Sequence, residues 1–420
     1  MPTTTAPLSI ARAFETLVGA SPTLRWTAYD GSTAGPDDAA VTVEVRSPQA
    51  VAFIVTSPGE LGMARAYVSG ELEIHGDTHT ALSALSNAAL DGPGLKERVE
   101  VLRSFGASAL KRPPLPPEEI VLSGWRRHSK QRDAEAISHH YDISNEFYEY
   151  VLGPSMAYTC AVYPERDATL EEAQANKFDL VCRKLGLQPG MKLLDVGCGW
   201  GGMVMHAAEH YGVQALGVTL SRRQAEWAQK AIADRGLAGS AEVRFSDYRD
   251  APDAEYDRVS SIGLTEHIGD KELDDYFGRL YAKLKPGGRL LNHCITRPDT
   301  SHHAIVKKGF INRYVFPDGE LVPVGRIVTA MHDAGFEVRH EENLREHYAM
   351  TLRDWGQNLE DNWEAAVAEV GWRRARVWRL YMAGSRMGFD RRSIELHQVL
   401  GVRTDSAGRA DVPLRPDWGV

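Results

Sequence analysis

The sequence predicts a doubly wound α/β domain preceded by a smaller α+β domain, and three observations carry that reading. Strand-like runs recur with helical segments between them from Lys192 onward, a glycine-rich turn follows the first of those strands, and a proline-rich basic stretch interrupts the chain well before them. At 420 residues the chain exceeds what a single core usually organises, so two domains are expected.

The first domain is expected over residues 1–106. From Ala40 to Thr56 apolar residues first alternate (Val41, Val43, Val45) and then run together (Val51, Ala52, Phe53, Ile54, Val55), the pattern of two short strands joined at Pro48. Gly59 to Asp77 reads as a short helix followed by Leu72 and Ile74 between glycines. Residues 107–134 form a linker, where Pro113, Pro114, Pro116 and Pro117 break regular structure. Lys111, Arg112, Arg126, Arg127, Lys130 and Arg132 concentrate positive charge there. A solvated connector and a contact for anionic lipid headgroups both fit, since each basic residue near such a surface gains about 1 kcal/mol. Over the whole chain the balance is nevertheless acidic: 48 basic against 57 acidic side chains give a net charge of -9, which argues against wholesale nucleic-acid binding.

Residues 135–420 form the second domain. Its strands are read at Leu193 to Val196, Ala215 to Leu220, Val243 to Phe245, Arg258 to Ile262 and Arg289 to Cys294, with helices such as Arg222 to Arg235 and Lys271 to Leu284 between them. That rhythm is a parallel sheet covered on both faces. After a strand at Phe336 to Val338, two helices are expected between Tyr348 and Phe389, then a last strand near Ile394 to Val402.

Met1 to Phe14 lacks the basic and apolar blocks of a signal peptide, and no run approaches about 18 consecutive apolar residues, so a cytoplasmic protein is expected. Cys160, Cys182, Cys198 and Cys294 form no C-x-x-C pair, which points to reduced thiols and no structural metal.

The segment Asp195-Val196-Gly197-Cys198-Gly199-Trp200-Gly201-Gly202 follows a strand and opens a helix, so a nucleotide-like cofactor is expected at the carboxyl end of the sheet. A dinucleotide fingerprint would read G-x-G-x-x-G and end the next strand with an acid for the ribose. Here the loop reads G-x-G-x-G-G and the next strand ends Gly217-Val218-Thr219-Leu220-Ser221, which disfavours NAD. Asp-x-Gly-x-Gly is the pattern of class I (Rossmann-like) methyltransferases, where it cradles the amino-acid end of S-adenosylmethionine. Thr219, Ser221 and Gln224 are then the polar groups near the sugar.

Five separated blocks then appear in one order: His140-Tyr141-Asp142, Tyr158-Thr159-Cys160-Ala161, the glycine loop, Gly217 to Ser221, and Glu266-His267-Ile268-Gly269. Together they resemble the cyclopropane fatty acid synthases from about Ser138 to Val402, and the N-terminal unit resembles the extra domain of the longer bacterial members, which modify intact phospholipid. The resemblance implies S-adenosylmethionine contacts from Tyr141, Tyr158, Thr159, Gly197, Gly199, Thr219, Leu220, Gln224 and Tyr248. It also implies a bicarbonate ion held by the Cys160 backbone, Glu266, His293, the Ile295 backbone and Tyr348. The implied partners are phospholipids with unsaturated acyl chains, met peripherally at an anionic inner membrane surface, and members of the family often form homodimers.

The chemistry gives these residue types a purpose. An alkene is a poor nucleophile, so its attack on a sulfonium methyl generates a carbocation that needs a dry pocket with electron-rich faces; Tyr314, Phe316 and Trp355 are candidates. A base must then take a proton from carbon, and Glu266 with His293 would position a small anion to do so. Loss from the new methyl closes a cyclopropane, whereas a hydride shift before that loss gives an exocyclic methylene. The family pattern carries phenylalanine before the site glutamate; this chain reads Gly263-Leu264-Thr265-Glu266, which keeps the methylene product open.

Three other readings compete. His206-Ala207-Ala208-Glu209-His210 matches the H-x-x-E-H pattern of inverted zinc proteases. A non-catalytic lipid-binding protein would need only the N-terminal domain, and a small-molecule methyltransferase would need only the second.

Overall fold

The computed structural model describes residues 8–88, 100–101, 103–120, 143–301, 309–317 and 319–418. The chain divides into two compact units, residues 1–122 with 307–317 and 370–387, and residues 123–306 with 318–369 and 388–420. Neither unit is a continuous stretch of chain.

The first unit holds β1 (Leu24–Ala28), β2 (Thr33–Ala34), β3 (Val41–Val45) and β4 (Leu72–His75) in the order β2-β1-β3-β4. Val41, Val43 and Val45 are buried at alternate positions, as the alternation predicts. The run Val51 to Val55 is not a second strand: Pro48–Thr56 is an α-helix whose N-cap Ser47 accepts a hydrogen bond from the Gln49 N–H, with Pro48 in its first turn. Such a cap is worth about 1 kcal/mol and outweighs the β-propensity of a valine-rich run. Inside this unit Arg65 pairs through Nε and Nη2 with both carboxylate oxygens of Glu119, each at 2.7 Å, and Tyr314 packs on Phe310.

The second unit is built on seven strands: β5 (Lys192–Val196), β6 (Gln214–Thr219), β7 (Ala241–Phe245), β8 (Tyr256–Ile262), β9 (Leu284–Thr296), β10 (Glu337–Asn343) and β11 (Glu395–Val402). Their order is β10-β11-β9-β8-β5-β6-β7, with β11 antiparallel to both neighbours and the central pairs parallel. Successive residues feed opposite faces. Leu193 and Leu291 enter one core with the helices Leu170–Leu185 and Gly202–Tyr211, while Leu194 and Leu290 enter another with Leu273–Lys283. Between β10 and β11 the chain forms three helices where two were expected, Arg345–Asp361, Trp363–Val370 and Trp372–Asp390, broken near Asn362 and at Gly371, whose φ is +81°. None of the helices described is long and apolar enough to cross a membrane.

Candidate active site

Strand order reverses between β5 and its neighbours β6 and β8, so the loops after β5 and β8 open a crevice at their carboxyl ends. Gly197 and Gly199 turn there with φ of +72° and +55°. Side chains rarely adopt that conformation, and a Cβ on Gly197 would stand 3.1 Å from Leu264 Cβ. The cavity is lined by Gly197, Gly199, Thr219, Leu220, Gln224 and Tyr248, six of the residues expected to touch S-adenosylmethionine. Thr219 Oγ1 donates to Gln224 Oε1 at 2.8 Å, which fixes both polar groups at the wall. Leu264, His267, Ile268, Ser246 and Arg249 also line it and were not anticipated. Thr159 lies against Gly263 of the same wall, since a Cβ there would meet Thr159 Cγ2 at 2.9 Å. Tyr141 falls outside the described residues, as do Arg126, Arg127, Lys130 and Arg132.

Around the β8–β9 edge the other expected residues converge. The Ile295 N–H donates to Glu266 Oε1 at 2.8 Å, while Oε2, sealed from solvent, has no hydrogen-bond partner. Burial pushes the Glu266 carboxyl up to about 7, opposed by that hydrogen bond. His293, two residues before Ile295 on β9, is 1% exposed and its Nε2 is also without a partner. Burial first, and then the positive charges of Lys177 and Lys184, hold its pKa well below the ordinary histidine value, so the ring is neutral.

Cys160 and Tyr348 join this edge through backbone. Ile295 stands opposite Leu396 in the β9–β11 register, the Leu344 N–H donates to the Leu396 carbonyl at 2.8 Å, and Cys160 Sγ lies 3.9 Å from the Leu344 carbonyl. Leu344 precedes the helix that carries Tyr348, and the Ala161 N–H donates to Thr351 Oγ1 of that helix at 3.0 Å. Burial raises the Cys160 thiol far above its ordinary pKa, so its sulfur is a packed, protonated group.

Aromatic rings run along the same helix. Tyr158 lies 5.7 Å from Tyr148 and 5.4 Å from Trp355, Trp355 lies 6.0 Å from Tyr348, and Tyr348 stacks on Phe389 at 4.5 Å. Trp355 therefore belongs to an aromatic row, whereas Tyr314 and Phe316 belong to the first unit, where Phe316 meets Tyr381.

The sequence reading missed two buried lysines. Lys177 and Lys184 sit seven residues apart on the helix Leu170–Leu185 and are both fully buried. That helix is held by a capping box between Thr169 and Glu172 and ends at left-handed Gly186. Lys177 Nζ donates to Thr159 Oγ1 at 2.9 Å and lies 3.8 Å over the Phe178 ring. Burial lowers its pKa, and burial raises that of Asp195, which accepts from Ser260 Oγ at 2.6 Å.

The His206 motif does not assemble a zinc site. Its two imidazoles are 4.5 Å apart, Glu209 faces Arg235 at 3.6 Å, and among the described residues no group of three or more His, Cys, Asp or Glu side chains could hold a metal ion.

A seven-stranded sheet of this order, with a glycine turn at the reversal and a cavity beyond it, defines a class I S-adenosylmethionine-dependent methyltransferase. Residues 128–399 match the family described as mycolic acid cyclopropane synthetase. Similarity also extends along the whole chain to a probable fatty acid methyltransferase of Mycobacterium tuberculosis, 53% identical over 99% of both chains. A probable fatty acid methyltransferase of Pseudomonas putida is 39% identical over 93% of this chain and 94% of its own. Among solved structures, the cyclopropane synthase MmaA2 from Mycobacterium tuberculosis is 32% identical, with a TM-score of 0.60 over 65% of this chain and 99% of that one. The mycolic acid cyclopropane synthase CmaA1, complexed with SAH and CTAB, is 34% identical, with a TM-score of 0.60 over 64% of this chain and 97% of that one. The chain belongs to the mycolic acid cyclopropane synthetase family of S-adenosylmethionine-dependent fatty acid methyltransferases.

Proposed function

We propose that the enzyme transfers the methyl carbon of S-adenosylmethionine to the cis double bond of an unsaturated acyl chain in membrane phospholipid and closes a cyclopropane ring. The observation that carries this reading is the pair of sealed, unpartnered atoms Glu266 Oε2 and His293 Nε2, at the sheet edge beside the cofactor cavity. Leaving two such groups unmade costs about 1–3 kcal/mol each, which is tolerable where a ligand is meant to complete them.

Bicarbonate fits that donor set. An ion with both an O–H and an anionic oxygen can donate to Oε2 and accept from an imidazole N–H, and Tyr348 with the Cys160 backbone would close the remaining sides. When bound it would supply an oxygen base. The Ile295 N–H is committed to Glu266 here, so this backbone group acts through the carboxylate. Glu266 orients the acceptor, His293 supplies a hydrogen bond, and the row from Tyr158 through Trp355 to Tyr348 presents electron-rich rings that favour a cation and exclude water.

A second reading, an exocyclic methylene product, is favoured by Thr265. Its side chain is buried and Oγ1 bonds Asn292 Oδ1 at 2.6 Å, so a small tethered group stands beside Glu266 where the family pattern carries phenylalanine. A smaller residue next to Glu266 is the feature that would leave a cation room for a hydride shift before deprotonation.

In the first unit Leu110 is 71% exposed beside exposed Lys111 and Arg112, a combination of apolar and cationic side chains that supports contact with an anionic bilayer surface. The test of the function is mass spectrometry of fatty acids released after incubation with S-adenosylmethionine and dioleoyl phosphatidylglycerol vesicles. A gain of one CH2 supports transfer, and derivatisation that separates ring from methylene chooses the product. No gain retires the reading.

A further inference from the structure

Four side chains of the second unit form a hydrogen-bonded line from partly exposed Glu342 to the candidate site. Lys184 pairs with Glu342 and donates through Nζ to Gln398 Oε1 at 2.7 Å. Gln398 is fully buried and stands opposite His293 in the β9–β11 register, with Nε2 3.1 Å from His293 Nδ1. The other ring nitrogen, His293 Nε2, is the buried atom without a partner.

Donor and acceptor chemistry leaves one arrangement for this line. A lysine ammonium offers only hydrogens, so the Gln398 atom facing it is the carbonyl oxygen. The amide NH2 is thereby turned toward His293 and also offers only hydrogens, so Nδ1 must present its lone pair. Burial lowers the Lys184 pKa and the Glu342 carboxylate opposes that shift; the ion pair with Glu342 and the bond from Nζ to Gln398 Oε1 set the direction of the line. The ring is neutral, as described above, and a neutral imidazole with a lone pair on Nδ1 carries its hydrogen on Nε2.

We propose that Lys184 and Gln398 are positioning residues that lock His293 in the Nε2–H tautomer, so that His293 serves the reaction as a fixed hydrogen-bond donor to an oxygen of the bound anion and never as the base. The tautomer follows from the protein's own groups. The use of the donor rests on the function proposed above. Outer partners of this kind commonly change activity by about 10- to 100-fold when altered.

The test combines nitrogen-15 NMR of histidine-labelled protein with kinetics of Gln398→Glu, whose carboxylate can still accept from Lys184 but would accept from Nδ1–H as well. The unmutated protein is expected to show a neutral His293 protonated at Nε2, identified by the signal lost in His293→Asn. Gln398→Glu is expected to switch the ring to the Nδ1–H form and lower kcat by about tenfold or more, with the KM for S-adenosylmethionine within about twofold. Retained S-adenosylmethionine binding shows that the variant is folded, and Gln398→Leu provides a second variant in which the two tautomers mix. An Nδ1–H or imidazolium form in the unmutated protein overturns the proposal, as does a tautomer that survives Gln398→Glu. A switched tautomer with unchanged kcat overturns the donor role, and with it the placement of His293 in the reaction, while the relay itself stands.

Discussion

Glu266 and Ile295, 29 residues apart in sequence, are joined by a 2.8 Å hydrogen bond from the Ile295 N–H to Glu266 Oε1. The second carboxylate oxygen is buried and has no partner. A hydrogen bond to one oxygen of a carboxyl group whose other, buried oxygen is idle is a poor structural device and a good binding one.

Glu266→Gln is therefore expected to cut turnover by about two orders of magnitude or more while S-adenosylmethionine binding stays within about twofold. The pH behaviour follows from the raised carboxyl. In the folded protein Glu266 holds its proton up to about 7, above its ordinary value of 4.5, so its contribution to stability is present below 4.5 and is lost as pH rises through about 7. Turnover, which needs the ionised carboxylate to accept, should rise through that same window. The variant should lose less stability than the parent between these limits in thermal melts, and an identical pH dependence would contradict the assignment.

Gly197→Ala should weaken S-adenosylmethionine binding by about tenfold. The substituted residue would be forced to hold φ near +72° with its Cβ against Leu264. Left-handed backbone costs about 1–2 kcal/mol for a side-chain-bearing residue, and the loop would relax by moving away from the ligand. Calorimetric titration measures this directly, and unchanged affinity would move the cofactor off the loop.

Lys177→Met tests the buried cation. Replacing a buried charge by an apolar residue of similar length is often neutral or stabilising, so the melting temperature should hold or rise. The lost positive potential, felt at Cys160 and His293, should raise the bicarbonate concentration needed for half-maximal turnover by about tenfold in carbonate-stripped buffer. Unaltered bicarbonate dependence would leave Lys177 as a packing residue.

Replacing Lys111 and Arg112 together with glutamine should weaken sedimentation with phosphatidylglycerol vesicles by about tenfold at low salt, with the difference shrinking as salt rises. A double variant that sediments like the parent would remove this segment from the membrane contact.

Much of the second unit was legible because its signals are local. A strand ending Asp195-Val196 and turning at Gly197 announces both the sheet and its cofactor edge. The helix at Val51 is masked in the sequence by its β-branched run, although the Ser47-Pro48 start signal is the stronger local cue. Lys177, Lys184 and Gln398 are hard to read for a different reason: each is a polar residue at a core position, and nothing in spacing alone says which partner will satisfy it. A lysine pair at heptad spacing on the apolar stripe of Leu170–Leu185, and a glutamine inside Leu396 to Leu400, were nevertheless visible anomalies. The division of Tyr314 and Phe316 from Trp355 between two units depends on long-range chain return, which residue patterns do not encode.

The most direct measurement uses S-adenosylmethionine carrying a fully deuterated methyl group, with the released fatty acids weighed after turnover on dioleoyl phosphatidylglycerol. If the site takes its proton from the transferred carbon, the product retains two of the three deuterons, whether the carbon ends in a ring or a methylene. Retention of all three would mean that the proton leaves from the acyl chain itself, and the placement of the base beside Glu266 and His293 would be contradicted.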